Sequence, residues 1–300
     1  MPTVCSPTSV EEAAAVFGDA AAAGRRISIE REGGDVVLST RRLDRVLEHE
    51  AGDLTCTVEA GIRLSALNEL LAPAGQMLAL DPPHDPTIGA CLAGNLSGPR
   101  RHRYGAVRDL VLGVTVVLAD GTVAHSGGKV VKNVAGYDLG KLFCGSHGRL
   151  GLIARVSLRL HPRPGAARTL VVDFGNAAEG ERLAQAVHRS TLVPSAADLL
   201  PPGRLALLLE GSERGVEAQL SAATWSLGGE QDGSVWDFVE QRQVGATSTR
   251  RVRPWSIPTD PDVVVVRLGA GLAYTTAPAE PWSPLAERIR REFDPTSVLV

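Results

Sequence analysis

The stretch of sequence that says most about the fold of this chain is PPHDPTIGACLAGNLSGPRRHRYGAVRDLVLGVTVVLADGTV, residues 82–123. The stretch from Asp81 to Gly105 is dense in Pro, Gly and Asn and has almost no helical or strand periodicity. The β-branched run after it contains the turn Asp120-Gly121, which predicts a hairpin. Long connections without regular structure are uncommon inside compact domains unless they have a function. The first stretch is therefore predicted to form a ligand-binding loop rather than a merely irregular connection.

Several residues of this loop are of the types that bind anions. Backbone N–H groups outside helix and sheet, with glycines that allow close approach, form concave sites that suit a pyrophosphate. Four arginines follow within nine residues and are countered locally only by Asp109. A phosphate or carboxylate ligand and a solvated basic surface both remain open. The residues are Thr87, Gly89, Gly94, Asn95, Ser97 and Gly98 in the glycine-rich part, and Arg100, Arg101, Arg103 and Arg108 in the basic part.

The composition excludes several classes of protein. With 300 residues, 44% hydrophobic and 22% charged, the chain is long enough for two lobes and typical of a folded protein. The formal net charge of −3 gives no global case for binding nucleic acid or an anionic membrane. No apolar run approaches the roughly 20 residues that span a bilayer, and nothing resembles a secretory signal. A cytoplasmic location is expected, with membrane contact only through partners.

The chemistry of metals is not indicated either. The cysteines are dispersed without a CxxC pair, which argues against structural zinc and iron–sulfur clusters and for a reducing compartment. No HExxH or clustered His and carboxylate spacing is present. We therefore expect no metal. The four cysteines are Cys5, Cys56, Cys91 and Cys144.

On both sides of residues 82–123, strand-like and helix-like segments alternate. Ser9 and Glu12 form a capping-box pattern before an Ala-rich helix that reaches Ala23. Pro162 and Pro164 break the chain after a clear strand, so a domain boundary is predicted there. Further predicted strands are 36–39, 54–59, 111–117 and 152–160 before the boundary and 169–174, 205–211 and 263–269 after it; predicted helices are 64–71, 181–189, 216–225 and 284–293.

These patterns predict an α+β fold with a smaller α+β second lobe. All four tryptophans fall in that lobe, where a place in the core is favoured over an exposed docking face. No GxGxxG lies between a predicted strand and helix, and no GxxxxGK[ST] is present, so the two common nucleotide folds are disfavoured. The tryptophans are Trp225, Trp236, Trp255 and Trp282.

Three segments of the chain together resemble a known family. They are residues 82–123, the sequence VEAG at 58–61 and the sequence GGKVVKNVAGYDLGKLFCGSHGRLGLIARVSLRLHPRP at 127–164. They are similar to the FAD-binding domain of the vanillyl-alcohol oxidase/PCMH flavoprotein superfamily, and within it to the FAD-binding subunits of bacterial glycolate oxidases. The resemblance covers about residues 36–164 and is weaker afterwards. It implies a two-lobed PCMH-type FAD-binding domain at 1–163 and a cap-like domain at 164–300. Since no His-bearing RSH-type sequence is present, the implied FAD is non-covalent.

The resemblance also implies which residues hold the cofactor. One group would follow the pyrophosphate and flavin edge, a second would surround the isoalloxazine and ribityl, and a third belongs to the KNVAGYDL tract and the strand beside it. The implied residues are Pro82, Pro83, Thr87, Ile88 and Gly89; Gly94, Asn95, Ser97, Gly98, Arg101, Tyr104, Gly105 and Arg108; and Lys132, Asn133, Gly136, Tyr137, Asp138, Gly148, Gly151 and Ile153.

The chain departs from the family pattern in three places. Family members usually carry an RGGGT-type loop for the pyrophosphate before the VEAG step, where this chain offers only Gly33-Gly34. The second glycine of a usual pair is Ala90, and the chain stops at Val300 before an NPGR-like tail. Half of the residues that hold the FAD pyrophosphate in this family are therefore predicted to be missing.

The activity implied by the resemblance is oxidation of a 2-hydroxy acid such as glycolate to the 2-oxo acid. Electrons would pass to a second flavoprotein subunit and an iron–sulfur subunit on other chains. Two alternatives remain open: a non-catalytic scaffold subunit with weakened flavin binding, and a stand-alone FAD-dependent alcohol or hydroxy-acid oxidase. The catalytic residues stay unassigned. Of the histidines, His84 and His102 are preferred as a base over His147 and His188.

Overall fold

The computed structural model describes residues 2–128, 139–279 and 281–300. No helix among these residues has the length and apolar character needed to cross a membrane. The strands are β1 Thr3–Cys5, β2 Ile27–Ile29, β3 Val36–Leu38, β4 Val46–Glu50, β5 Thr55–Glu59, β6 Gln76–Met77, β7 Val111–Val117, β8 Val123–Gly127, β9 Leu152–Arg159, β10 His161–Pro162, β11 Ala166–Asp173, β12 Ala196–Leu200, β13 Arg204–Gly211, β14 Glu230–Gln231, β15 Ser248–Arg251, β16 Val263–Arg267 and β17 Leu272–Thr275.

Ten helices of four to fifteen residues connect these strands within the described part of the chain. They are α1 Val10–Ala22, α2 Leu64–Leu71, α3 Ile88–Gly94, α4 Arg101–Tyr104, α5 Val107–Leu110, α6 Leu139–Phe143, α7 Ala177–Arg189, α8 Glu213–Leu227, α9 Val235–Val244 and α10 Pro284–Phe293. Ser9 caps α1 by accepting from the Glu12 N–H, while the Glu12 carboxylate accepts from the N–H of Thr8 rather than that of Ser9. The cap and the Ala-rich sequence explain why this helix forms.

The first part of the chain contains two main sheets. A five-stranded antiparallel sheet has the order β4-β5-β9-β7-β8, and a small parallel sheet has the order β1-β3-β2. The apolar faces of α2 and α3 pack on the five-stranded sheet around Val58, Leu67, Ile88 and Val156. Because α3 lies in this core, the loop that follows it is held against a rigid base.

The second part of the chain is built on one seven-stranded antiparallel sheet with the order β14-β11-β13-β12-β16-β17-β15. Helices α7 and α8 supply apolar residues to one buried cluster of this sheet, and α9 supplies Val235 and Val239 to another. Leu170 and Leu207 are fully buried in the first of these clusters, and Ala206 in the second. The predicted α+β fold class is confirmed.

The end of the chain returns to the first part. Phe293 of α10 meets Phe143 edge-on, with ring centroids 5.8 Å apart. Leu299 bridges to Ile27 beside the small parallel sheet, and Val298 is buried with it. The boundary at 163/164 stays a prediction, and the last helix and strand-like tail pack against residues that precede it.

The predicted elements recur with small shifts at their ends. Helices 64–71 and 284–293 have the predicted limits, and the hairpin turns at Asp120-Gly121 as expected. The prediction of an almost structureless segment at 81–105 is wrong, because α3 and α4 lie within it. Their brevity explains the error, since a one- or two-turn helix shows little periodicity.

The tryptophan prediction is wrong for one residue. Trp225 on α8 is 90% exposed, so it is not part of the core. Trp236 and Trp255 pack partly buried against the clusters of the seven-stranded sheet, and Trp282 lies under the guanidinium of Arg149. A lobe with short amphipathic helices leaves room for a large apolar side chain on its surface.

Candidate functional site

Two adjoining cavities run along one side of α3, and we call them together the groove. They share Glu30, Thr87 and Ala90 and have volumes of about 240 and 640 Å³. The smaller cavity is lined by Ile29, Glu30, Arg31, Thr40, Thr87, Gly89, Ala90, Ala93, Gly94, His147, Gly148, Gly151, Leu152 and Ile153. The larger one is lined by Glu30, Arg41, Asp44, Gly61, Ile62, Arg63, Ala66, Leu70, His84, Asp85, Pro86, Thr87 and Ala90.

Small residues and backbone form much of the wall of the smaller cavity. The side chain of Thr87 accepts from the N–H of Ala90 and so fixes the first turn of α3. Gly148 has φ +77° and Gly151 φ +142°, conformations that favour glycine. These positions expose main chain rather than side chains to the cavity, which suits a flat or elongated ligand.

Glu30 projects into the centre of the groove from the end of β2. Its Oε1 accepts from the Ser39 hydroxyl at 3.1 Å and the Thr40 hydroxyl at 2.8 Å. The same oxygen accepts from the N–H of Thr40. A carboxylate is therefore bound by one N–H and two hydroxyl donors in the wall that both cavities share.

Three arginines line the two cavities. Arg31 lies in the smaller cavity and donates to the carbonyl of Val300, while Arg41 and Arg63 lie in the larger one. Burial lowers the pKa of His147, and the positive charges of Arg149 and Arg31 add to the effect. His147 is thus favoured in its neutral form.

Six of the residues predicted for the cofactor line the smaller cavity, and the other predicted residues that the structure describes do not. The six are Thr87, Gly89, Gly94, Gly148, Gly151 and Ile153. Ile88 is in the core, Pro82 is buried, and Pro83 lines a separate cavity with Arg100 and Trp236. The predicted residues Lys132, Asn133, Gly136, Tyr137 and Asp138 fall outside the described residues. The assignment of cofactor contacts stays a prediction.

The remaining predicted residues follow α3 along the chain. Asn95 ends α3 in a left-handed conformation, and its buried Oδ1 has no hydrogen-bond partner. Arg101 donates to the Ser97 hydroxyl at 3.1 Å. Tyr104 packs edge-on against His161, outside the groove. Gly105 turns the chain beside Asp109, and Arg108 is exposed.

The turn at Ser97 and Gly98 is held by the seven-stranded sheet. The Ser97 carbonyl accepts from Arg267 Nη1 at 3.0 Å, Gln243 Nε2 at 2.8 Å and the Tyr274 hydroxyl at 3.3 Å. Arg267 is fully buried and also faces Asp198. No local pattern links these three residues to the turn, because each lies more than 140 positions from it.

Arg100 pairs with a carboxylate of the protein itself. Its guanidinium meets Glu210 of β13 at 2.7 Å, and its backbone N–H donates to the Asp81 carboxylate. Arg103 is exposed and donates to the backbone carbonyl of Glu210 and to the Ser195 hydroxyl. These two cations join the two parts of the chain.

The two preferred histidines occupy different environments. His84 is exposed at the mouth of the larger cavity. His102 packs edge-on against Trp255, and burial lowers its pKa to about 4. His188 stacks on the same indole at a centroid distance of 5.1 Å. His102 and His188 thus pack between elements, whereas His84 and His147 line the groove.

The groove fits FAD in its shape and in most of its residues. Main chain at Gly94 and Gly148 lines the smaller cavity and leaves room for a cofactor. Arg31 and Arg41 provide charge of the right sign for a diphosphate. Glu30 on the shared wall, and Asp44 and Asp85 in the larger cavity, bring negative charge to the groove. Sequence reasoning noted the missing loop but did not single out Glu30.

Comparison with known proteins agrees with the cofactor prediction. Residues 2–127 match the family described as FAD binding domain, which includes α3 and the larger cavity. The chain is 34% identical to glycolate oxidase subunit GlcE of Escherichia coli (strain K12) over 203 residues, which are 66% of this chain and 56% of that protein. It is 31% identical to glycolate oxidase subunit GlcD of Bacillus subtilis (strain 168) over 67% of this chain and 42% of that protein.

A third relative carries a different name. D-lactate dehydrogenase [cytochrome] 1, mitochondrial, of Saccharomyces cerevisiae is 32% identical over 55% of this chain and 28% of that protein. Each of the three alignments spans less than two thirds of the relative. A solved structure of alkyldihydroxyacetonephosphate synthase has a TM-score of 0.72 at 16% identity, covering 98% of this chain and 75% of that one. That structure shares the fold.

Proposed function

Since residues 2–127 match the family described as FAD binding domain, we propose that this chain is the FAD-binding subunit of a 2-hydroxy-acid oxidoreductase. The proposed substrate is glycolate or a similar small 2-hydroxy acid, which is oxidised to the 2-oxo acid. The electrons leave to a second flavoprotein subunit and an iron–sulfur subunit. The observation that carries the proposal is the groove beside α3, which brings six predicted cofactor residues to one cavity.

The relatives support the substrate class. Two of them are named as glycolate oxidase subunits and one as a D-lactate dehydrogenase, and both names refer to 2-hydroxy acids. The subunit names also support an assembly of several chains. No group of three or more His, Cys, Asp or Glu suited to a metal occurs among the described residues, so the iron–sulfur centre is assigned to a partner.

Different residues of the groove would contact different parts of FAD. The main chain at Gly89, Gly94 and Gly148 lines the cavity, and Arg31 and Arg41 offset the charge of the diphosphate. When bound, FAD supplies an acceptor for the two electrons that oxidation of a hydroxy acid releases. The seven-stranded sheet fixes the Ser97 turn and so keeps the end of α3 in place.

The scaffold subunit is the second candidate function. It is favoured by one observation, the Glu30 carboxylate on the wall shared by the two cavities. A negative side chain at that wall opposes a diphosphate, so flavin affinity would be reduced. In that case the chain serves assembly while a partner performs the oxidation.

The first experiment is the visible spectrum of the purified protein, alone and after incubation with FAD, with the released cofactor identified after denaturation. Near-stoichiometric FAD supports the proposal and leads to assays of glycolate and D-lactate with an artificial electron acceptor. A protein that stays colourless with added FAD contradicts it and favours the scaffold.

A pair of variants tests whether FAD uses the groove. Ala90→Trp fills the wall shared by both cavities at an exposed position of α3. Ala222→Trp adds the same side chain at an exposed position of α8 and is the matched control. FAD binding is expected to be lost in the first variant and retained in the second. Equal binding by both would place the cofactor elsewhere.

A further inference from the structure

Glu30 has an unusual backbone conformation for its residue type. It lies at φ +55°, in the left-handed region that residues other than glycine rarely adopt. Its N–H donates to the carbonyl of Leu38. Strands β2 and β3 pair in parallel with Ile29 opposite Leu38, so Glu30 lies beside Ser39 and Thr40, which follow β3.

The groups that bind Glu30 are the groups that bind phosphate in proteins. One N–H and two hydroxyls converge on a single carboxylate oxygen, Oε1, and Thr40 is itself only 5% exposed. Backbone N–H and Ser or Thr hydroxyl donors in a turn form an anion site whether the anion is a carboxylate or a phosphate. We call Ser39 and Thr40 the donor pair. Glu30 fills it with an anion from the chain itself.

We propose that Glu30 competes with a diphosphate ligand for the donor pair and sets the affinity of the groove for FAD. This inference rests on the proposed use of the groove by FAD. The donors that hold Glu30 can serve one anion at a time. In addition, a carboxylate and a phosphate that lie close together repel each other, and the repulsion is stronger near a protein surface than in bulk water.

A purely structural role for Glu30 makes a different prediction. If the carboxylate only held the turn of residues 30–40 in shape, its removal would loosen the groove and weaken every ligand. If it occupies an anion site, its removal strengthens ligands that carry a diphosphate and leaves others unchanged. Position 30 permits this comparison, because glycine adopts its backbone conformation without strain.

The test compares four proteins: wild type, Glu30→Gly, Glu30→Gln and Asp44→Asn. Glu30→Gly empties the donor pair, whereas Glu30→Gln keeps an acceptor there but removes the charge. Asp44→Asn removes one negative charge from the larger cavity without touching the donor pair, so it is the matched control. Each protein, freed of bound flavin, is titrated with FAD, ADP and riboflavin by calorimetry. ADP shares the diphosphate of FAD, and riboflavin has no phosphate.

The expected result is a gain for diphosphate ligands alone. Glu30→Gly binds FAD and ADP at least tenfold more tightly than wild type, Glu30→Gln shows a smaller gain, and Asp44→Asn stays within about twofold. Riboflavin affinity is the same in all four. Adding Thr40→Val to Glu30→Gly removes one hydroxyl donor and is expected to reduce the gain.

The other outcomes separate this inference from the proposed function. If wild type binds FAD and Glu30→Gly binds it no better, the inference is wrong and the proposed function stands. An equal gain in Asp44→Asn also overturns the inference, since general charge would then explain it. If only Glu30→Gly binds FAD, the inference is supported and the scaffold function is favoured. If no variant binds FAD or ADP, both are overturned. Thermal melting checks folding, and Glu30→Gln decides the matter if Glu30→Gly does not fold.

Discussion

Arg267 Nη1 donates to the main-chain carbonyl of Ser97 across 3.0 Å, although 170 residues separate them in sequence. Arg267 is fully buried at the end of β16, and Ser97 belongs to the turn after α3. The guanidinium also faces Asp198, whose pKa is raised to about 6 by burial against the opposing effect of Arg267. A charged side chain of the second sheet therefore positions a loop next to the groove.

Arg267→Met is expected to destabilise the protein by about 3–5 kcal/mol, because it leaves Asp198 and the Ser97 carbonyl with fewer partners in a buried site. It is also expected to weaken FAD binding at least tenfold through movement of the Ser97 turn. Urea unfolding and FAD titration measure the two effects.

Arg242→Met is the control for this change. Arg242 donates to the carbonyls of Pro201 and Val264, within the second part of the chain, and does not contact Ser97. It is expected to lose stability with FAD affinity within twofold of wild type. Equal losses of FAD affinity in both variants would contradict the positioning role of Arg267.

Gly98→Ala is expected to destabilise the protein by about 1–3 kcal/mol or more, since an added Cβ would lie 1.7 Å from the carbonyl oxygen of Asp81. The backbone of the turn must shift to relieve this contact. Gly52→Ala is the matched control, because no atom lies within 4 Å of a Cβ built there. Chemical denaturation of both variants checks the prediction, and a neutral Gly98→Ala would show that the turn adapts.

The protein is expected to become less stable as the pH decreases, because His102 is buried in its neutral form. Burial lowers its pKa from 6.5 to about 4, so the folded state favours the neutral ring. The contribution is fully present above pH 6.5 and is lost as the pH falls to about 4, and the total loss is about 3 kcal/mol. His102→Gln is expected to flatten the dependence of the unfolding free energy on pH in this window. A slope equal to that of wild type would assign the effect to other groups.

Trp225→Ser is expected to change the unfolding free energy by less than about 0.5 kcal/mol, because the indole is 90% exposed. Trp236→Phe is the comparison, since Trp236 Nε1 donates to Thr169 at 2.9 Å and its loss costs about 1 kcal/mol. Urea denaturation followed by circular dichroism measures both. A large loss in Trp225→Ser would mean that the indole is covered in solution.

Much of the fold was predictable from local sequence. The limits of α2 and α10 follow from apolar spacing and from proline and glycine at their ends, and the hairpin of β7 and β8 follows from Asp120-Gly121. The short helices α3 and α4 escaped prediction because one or two turns produce no clear period. Strands β12, β15 and β17 were also not predicted, although β12 pairs with the next strand, β13, and β17 with the preceding strand, β16.

Local sequence patterns were sufficient to predict helices and strands, the glycines that leave room beside α3 and the shortage of phosphate-binding glycines near Gly33-Gly34. The partners of the charged side chains, in contrast, depend on tertiary packing. Arg100 meets Glu210 and Arg267 meets Ser97 because the segment after α3 packs against a sheet that is distant in sequence, and hydrogen bonds between them leave no local pattern. Glu30 lies beside Ser39 and Thr40 because β2 and β3 pair in parallel with Ile29 opposite Leu38. A charge run in sequence gives the number of cations, whereas their partners depend on which surfaces folding brings into contact.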